Sequence, residues 1–206
     1  MTVKTVSPET SDGRRARSER SREAIARAML DLVRETGRTP TMEAVAERAD
    51  VSRRSVFRHF ADVDELILAA CEMQRADVAQ RFRSRDLSRL GLEERVHAVA
   101  ERFGRLYEYV APFRRVASAV RHENPVVDQT LKEDDRALEG YLMAVFRDVF
   151  APLSDEEARL TLQCMTTALG WPAWVALRRD QGLTVLQARK VVERLLRATA
   201  TTARAA

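Results

Sequence analysis

The residues best suited to chemistry in this chain are the basic side chains of residues 53–59, in the sequence RRSVFRH. A guanidinium group can donate two parallel hydrogen bonds to the O6 and N7 atoms of guanine in the major groove of DNA. If the segment is helical, one face carries the side chains that would meet a base edge or a phosphate: Arg53, Arg54, Ser55, Arg58 and His59. The alternative is an ordinary solvated basic face. A catalytic role for His59 would need a nucleophile and a carboxylate beside it, and the sequence indicates neither.

The pattern of residues 41–60, TMEAVAERADVSRRSVFRHF, predicts two short helices that position this basic face. Thr41 is expected to cap the first helix, which ends at Arg48, and Ser52 to cap the second, which ends at His59. About three residues separate the helices, as in a helix-turn-helix. The predicted small core beneath them consists of Val45, Ala49, Val51 and Val56, with Ala46 at the closest approach of the helices.

The remaining elements are also predicted to be helical, about nine helices in all. Apolar residues recur at helical spacing throughout, and 7 Gly and 6 Pro are too few for the turns of an all-β fold. Asp62 with Glu65 forms a capping-box pair that opens a longer helix. Pro112 is expected to end one helix, and Pro172 to kink another around a pocket or at a dimer seam. The predicted helices span residues 18–36, 41–48, 52–59, 62 onward, 92–110, 113–120, 131–149, 154–179 and 184–200.

Composition limits the class of protein. The 206 residues are 45% hydrophobic and 32% charged, and no apolar run is long enough to span a membrane. The N-terminus lacks the apolar segment of a secretory signal, so a cytoplasmic protein with reduced cysteines is expected. Residues 1–60 hold 13 Lys and Arg against 9 Asp and Glu, whereas the rest of the chain is balanced. Excess positive charge at one end is typical of a surface that meets a polyanion.

Residues 20–70 resemble the TetR family of bacterial transcriptional regulators. The resemblance rests on TMEAVAERADVSRRSVFRHFADVDELI, preceded by a helix of the type REAIARAMLDLVRETG. It implies an all-α protein with an N-terminal three-helix helix-turn-helix domain and a C-terminal helical domain for ligand binding and dimerisation. The expected bounds are a disordered basic arm at 1–17, the DNA-binding domain at 18–61 and the second domain at 62–206.

The resemblance also implies partners and DNA-contacting residues. The partners are a double-stranded DNA operator, a small-molecule effector that releases a repressor from DNA, and a second copy of the chain. The residues at matching positions are Thr41, Ser52, Arg53, Arg54, Ser55, Phe57, Arg58 and His59. In the arm, Arg14, Arg15 and Arg17 would add minor-groove contacts.

Three positions depart from the family pattern. Asp50 replaces the usual turn glycine, and aspartate tolerates the left-handed conformation better than most residues. Phe57 replaces a common tyrosine and loses a hydroxyl contact to phosphate. Val63 replaces a common lysine, which removes another contact, so binding should depend more on the arginines.

The last two predicted helices carry apolar faces suited to a four-helix interface in a homodimer. Two reading helices one DNA turn apart also require two-fold symmetry. The residues predicted for this interface are Leu160, Leu169, Val175, Ala188, Val192, Leu195 and Leu196.

A largely apolar ligand is expected among the helices of residues 92–179, because aromatic and Met side chains supply wide, adaptable contact area. The inward positions show no cationic cluster, which disfavours a highly anionic ligand. The predicted lining residues are Phe103, Tyr107, Phe113, His122, Met143, Phe146, Met165, Trp171 and Trp174.

Other functions have less support. Cys71 and Cys164 are read as apolar fillers rather than redox sensors. His97 and His122 could join Glu123 or Asp128 around a metal, but no i, i+4 ligand pair supports this, and neither a metal nor a cofactor is expected. No spacing demands catalysis, so an enzyme is not expected. The alternative to a DNA-binding regulator is a helical module that binds a protein partner and not DNA.

Overall fold

The computed structural model describes residues 8–83 and 85–205, and their regular elements are all helical. This confirms the predicted all-α class. The helices are α1 Pro8–Thr36, α2 Met42–Arg48, α3 Arg53–His59, α4 Val63–Arg81, α5 Leu92–Val120, α6 Pro125–Val145, α7 Arg147–Phe150, α8 Asp155–Leu169, α9 Trp171–Val175, continued by a π-helical turn Ala176–Asp180, and α10 Val185–Ala205.

The chain divides into two compact units. The N-terminal unit comprises Met1–Ala79 and Pro112–Thr130, and the C-terminal unit comprises Gln80–Ala111 and Leu131–Ala206. Helices α5 and α6 therefore each contribute residues to both units. These units are defined by packing, and the functional boundary expected between residues 61 and 62 stays a prediction.

The core of the N-terminal unit lies under helices α1 to α4. Its most deeply buried side chains include Ile25, Val45, Val56, Phe60 and Leu66. Val45 and Val56 are thus buried as predicted, while Ala49 and Val51 pack against this core and are partly buried. Burying an aliphatic or aromatic side chain of this size contributes about 1.5–3 kcal/mol, so this core holds the two short helices in place.

Helix α1 begins at Pro8, well before the predicted start at Ser18, so a disordered arm over residues 8–17 is the wrong expectation. Proline is favoured in the first turn of a helix, where its missing N–H is not needed. The following turns gain local contacts, because Arg15 pairs with Glu19 and the Arg17 side chain donates to the Gly13 carbonyl. Residues 1–7 and the side chain of Arg14 lie outside the described part of the chain.

Two prolines behave differently from their prediction. Helix α5 continues through Pro112, because the apolar stripe from Val110 to Phe113 and Val116 continues beyond it. The helix does not kink at Pro172 but ends before it. Gly170 is extended, with φ −67° and ψ 159°, and Pro172 lies in the first turn of the next helix, α9. A Cβ at Gly170 would lie 2.8 Å from the Thr166 carbonyl oxygen, so a larger residue would not fit this break.

The C-terminal unit is held by an ion-pair network with a nearly buried centre. Arg95 on α5, only 5% exposed, makes a two-pronged ion pair with Asp148 on α7 and donates to the Val145 carbonyl at 2.8 Å. Arg204 on α10 binds the same carboxylate. The Arg95 guanidinium holds the pKa of Asp148 well below its usual range. One carboxylate therefore joins three helices that are far apart in the sequence.

Candidate nucleic-acid interface

Helices α2 and α3 begin at the two predicted caps. Thr41 accepts a hydrogen bond from the Ala44 N–H at 3.2 Å, and Ser52 accepts one from the Ser55 N–H at 3.1 Å. Each bond satisfies one of the free N–H groups of a helix N-terminus. Both cap predictions are confirmed, and both residues are exposed.

The turn between the helices is built on Asp50. Its φ of 53° lies in the left-handed region, which aspartate adopts more readily than most residues. The turn is closed by hydrogen bonds from the Asp50 N–H to the Glu47 carbonyl at 3.1 Å and from the Val51 N–H to the Ala46 carbonyl at 3.0 Å. Asp50 thus adopts the left-handed backbone conformation for which glycine is usual at this position of the motif.

Helix α3 presents a basic and aromatic surface to solvent. Arg54, Phe57 and Arg58 are exposed, and Ser55 is half-buried. Arg58 donates to the Ser55 hydroxyl at 2.9 Å, which orients both side chains. Among the described residues, Arg54 has no ion-pair partner, so its guanidinium is free to meet a base edge.

Arg53 differs from Arg54, because it is already paired. Its guanidinium lies 2.6 Å from a carboxylate oxygen of Glu43 on α2, and it also lies over the Phe57 ring at 5.6 Å. Both partners of the ion pair are mostly exposed, so the pair is weak and can open. The sequence alone does not reveal this pair, because Glu43 and Arg53 lie on different helices of the motif.

His59 is half-buried at the end of α3. Burial lowers its pKa below the ordinary value, and Arg58 and Arg22 lower it further. Its Nε2 atom is buried and has no hydrogen-bond partner among the described residues. The lowered pKa favours the neutral form of His59, so its contribution to the positive charge of the surface is reduced.

Arg22 on α1 is a second residue whose role the sequence motifs do not indicate. It donates to the backbone carbonyl of His59, pairs with Glu65 at 2.9 Å and lies 4.2 Å from the centre of the Phe60 ring. Arg22 therefore fixes the junction between α3 and α4 to α1. No short motif contains these residues, so only the assembled helices show the connection.

The start of α4 is capped as the sequence predicts. The Glu65 N–H donates to Asp62 at 2.8 Å, and the Glu65 carboxylate accepts from the Ala61 N–H at 2.7 Å. Val63, which stands where the family often has lysine, is exposed and supplies no charge.

Comparison with known proteins identifies the motif. The model of the tetR family of bacterial regulatory proteins matches residues 23–70, which contain α2, α3 and their caps. These residues therefore form a helix-turn-helix DNA-binding domain of the tetR type, which makes the chain a tetR-like transcriptional regulator.

A solved structure has the same fold as the present chain. It is described as a TetR-family transcriptional regulator from Mesorhizobium loti MAFF303099 and is 18% identical, with a TM-score of 0.68. The match covers 90% of the present chain and 98% of the other. No curated protein matches the sequence.

The residues predicted for a dimer interface fall into two groups. Leu160 and Leu195 are exposed, with 48% and 46% of their surface accessible, and Val175 is half-buried. The other four are buried within the chain itself and are unavailable to a partner, which corrects the prediction: Leu169, Ala188, Val192 and Leu196. They occupy the inward faces of α8 and α10, where the apolar stripe serves the chain's own core.

The predicted ligand-lining residues do not all come together. Phe103, Tyr107, Trp171 and Trp174 form one aromatic cluster, with ring centres 5.6–6.0 Å apart from Tyr107 to its three neighbours. Trp174 donates to Glu108 at 3.0 Å, and Arg178 pairs with the same carboxylate. Phe146 and Met165 are completely buried.

Three of the predicted lining residues lie elsewhere. Phe113 packs into the core of the N-terminal unit, with Arg34 5.2 Å from its ring centre. His122 is exposed in the turn after α5, and Met143 is 51% exposed on α6. Because α5 continues past Pro112, Phe113 belongs to a different unit from Phe103.

The remaining candidates show no site. His97 pairs with Glu193, and Asp128 pairs with Arg121. In the described ranges, no three His, Cys, Asp or Glu side chains are grouped to hold a metal ion. Cys71 is half-buried, Cys164 is exposed, and neither forms a disulfide in the described part of the chain. None of the described helices is long and apolar enough to cross a membrane.

Proposed function

We propose that this regulator represses transcription by binding a pseudo-palindromic operator as a homodimer, and that a small molecule releases it. The observation that carries the proposal is the exposed face of α3. There Arg54 is without an ion-pair partner among described residues and Arg58 is oriented by Ser55. A short helix with free guanidinium groups fits the major groove.

In this proposal the DNA contacts have distinct roles. Arg54 and Ser55 read base edges, and Arg53 joins them once its pair with Glu43 opens. Thr41, Ser52 and Arg58 contact phosphates, Phe57 packs against sugar, and His59 contacts backbone. Phosphate contacts set the affinity for all sequences, whereas base contacts set the preference for one.

A groove between α8 and α10 supports the homodimer. It is lined mainly by apolar or small side chains, including Leu153, Leu160, Cys164, Ala198 and Ala203. Leu195, one helical turn before Thr199 of that groove, is also exposed. A second copy of the same two helices would cover this face and make a symmetric four-helix interface.

The effector is proposed to act on the C-terminal unit, where Phe103, Tyr107, Trp171 and Trp174 form the aromatic cluster. An effector that binds better to the state without DNA must weaken operator binding. Operator must then weaken effector binding by the same factor, which gives a direct test of any candidate effector. The regulator acts by binding and needs no catalytic group, and we place it in the cytoplasm with the DNA that it controls.

The decisive experiment is selection of bound duplexes from a random pool, followed by affinity measurements with Arg54→Ala. Loss of a bidentate contact to guanine should cost about 1–3 kcal/mol on the selected site and relax the preference at one base pair of each half-site. Arg136→Ala, which removes an exposed arginine of α6, is the matched control. If Arg54→Ala weakened selected and random DNA equally, the assignment of Arg54 as a base reader would be wrong.

A further inference from the structure

The C-terminal unit contains a cavity of about 420 Å³ with a strongly basic lining. It is formed by the end of α4 and the segment after it, by α5, and by Tyr141 of α6. A single carboxylate, that of Glu101, is present among its described lining residues. Its five arginines are Arg81, Arg83, Arg85, Arg102 and Arg105.

Most of these positive charges are not neutralised by the protein. In the described part of the chain, Arg83, Arg85 and Arg105 make no ion pair. Gathering like charges around one cavity costs free energy unless anions approach them. A concave surface lined by charges of one sign attracts small ions of the opposite sign, so this concentration of arginines favours an anionic ligand.

Arg102 is the most constrained member of the set. It is half-buried, and its guanidinium donates to the carbonyl oxygens of Phe82 and Arg83 and lies 5.4 Å from the centre of the Tyr141 ring. Its Nε atom is buried and has no hydrogen-bond partner among the described residues. Arg102 therefore carries its charge into the cavity wall with only neutral partners.

Tyr141 adds a neutral donor and an aromatic surface. Burial raises the pKa of its phenol, so the hydroxyl stays protonated and can donate a hydrogen bond at neutral pH. Its ring centre lies 5.5 Å from that of Phe103. Leu87 and Ala98 also line the cavity, so part of its lining is apolar.

We propose that this cavity binds a small organic anion that carries a phosphate or carboxylate group beside an apolar or aromatic portion. Arginine suits both anions, because its planar fork donates two parallel hydrogen bonds to them. The volume lies in the range of small-molecule sites, about 300–1,000 Å³. A concave lining from several elements favours a small molecule over a nucleic-acid backbone. This cavity is distinct from the ligand site expected among the helices of residues 92–179, since Arg83 and Arg85 belong to a segment outside those helices.

Binding of the anion in this cavity does not depend on binding of the operator. Only the further identification of this anion as the effector rests on the proposed function. Binding is therefore measured first on the full chain without DNA.

The test is calorimetric titration with three probes that share one ring: phenyl phosphate, benzoate and phenol. We expect one or both anions to bind and neutral phenol to bind at least about tenfold more weakly, and comparison of the two anions distinguishes a phosphate from a carboxylate site. Removal of two arginine contacts in the variant Arg85→Gln/Arg105→Gln should weaken binding of the anion at least about tenfold, since hydrogen bonds between charged groups are stronger than those between neutral groups. Both side chains are exposed, and circular dichroism checks that the variant is folded.

Arg136→Gln is the matched control, because it removes an exposed arginine of the same unit outside the cavity. Equal losses in the control and the double variant would overturn the proposal, as would equal binding of phenol or no binding of either anion to the folded chain. A loss of affinity for random duplex DNA in the double variant alone would also overturn it, by assigning the arginines to a nucleic-acid surface. Failure of anion binding with intact operator binding would leave the proposed function standing.

Discussion

The helix-turn-helix and the C-terminal unit are stabilised over different distances along the chain. Thr41 and Ser52 cap their helices through residues only three positions away, and Asp50 closes the turn between them. In the C-terminal unit, Arg95 reaches a residue 53 positions away, and Arg178 reaches Glu108, 70 positions away. Short-range bonds form wherever their own segment folds, whereas the long-range pairs exist only after the unit is assembled.

This difference predicts that damage to a long-range pair affects a whole unit. Asp148→Asn removes the charge that Arg95 and Arg204 share and leaves Arg95 nearly buried without its ion partner. We expect a loss of about 2–3 kcal/mol in the free energy of unfolding. The Val145 carbonyl still accepts one Arg95 hydrogen bond and limits the loss.

Chemical denaturation measures this effect, with Glu139→Gln on exposed α6 surface as the control. The free energy of unfolding of the wild-type protein should decline as the pH falls into the acid range. The reason is that the pKa of the Asp148 carboxyl is depressed in the folded state, so the unfolded chain binds more protons. A variant as stable as wild type would show that the network does not hold the C-terminal unit.

Loss of a short-range cap should have a smaller and more local effect. Ser52→Ala leaves the Ser55 N–H without its acceptor and should cost about 1 kcal/mol. Ser52→Asp restores an acceptor and should recover stability but not DNA affinity, since it adds a negative charge at the interface. Equal stability of all three proteins would contradict the importance of the cap.

The third prediction concerns affinity for the operator and the ion pair between Arg53 and Glu43. Glu43→Gln frees Arg53 and should raise affinity for the selected operator by roughly two- to fivefold, the value of a weak exposed pair. Glu47→Gln on the same helix is the matched control, because it changes net charge equally and Glu47 is exposed without an ion-pair partner among the described residues. Equal gains in both variants would mean that general electrostatics, not the release of Arg53, is responsible.

The smallest expected effect is a pH dependence at His59. Because burial depresses its folded pKa, the unfolded state binds more protons, and stability should fall as pH decreases below about 6.5, the ordinary value for histidine. His59→Gln should make the stability curve flatter between pH 7 and pH 5. The measurement is denaturant unfolding at several pH values, and identical curves for the two proteins would refute the prediction.

The difference between short-range and long-range contacts also explains which features can be predicted from the sequence. Caps at Thr41, Ser52 and Asp62, the left-handed Asp50 and the buried Val45 and Val56 all depend on neighbours within a few residues, and these predictions are confirmed. Short-range patterns do not show which apolar residues of α8 and α10 the chain's own core uses. Leu169 and Leu196 were therefore assigned to a partner, although they are buried in the same chain.

Local rules also failed where context outweighed a single residue. Pro112 was expected to end a helix, but α5 continues because its apolar stripe persists on both sides. Because α5 continues, Phe113 lies in the core of the N-terminal unit and not in the predicted ligand site. The basic cavity was missed because its arginines come from α4, the following segment and α5, and no spacing along the chain connects them.

Helix α7 has a consequence for hydrogen exchange. Four residues cannot sustain a helix alone, since nucleation is costly and each later bond adds little. Asp148 nevertheless connects it to α5 and α10, so the Val149 and Phe150 amides, which donate to the Phe146 carbonyl, should become accessible to solvent only when those helices separate. We therefore expect these amides, together with the facing turns of α5 and α10, to exchange deuterium as one cooperative opening unit, much more slowly than the exposed residues 15–20 of α1.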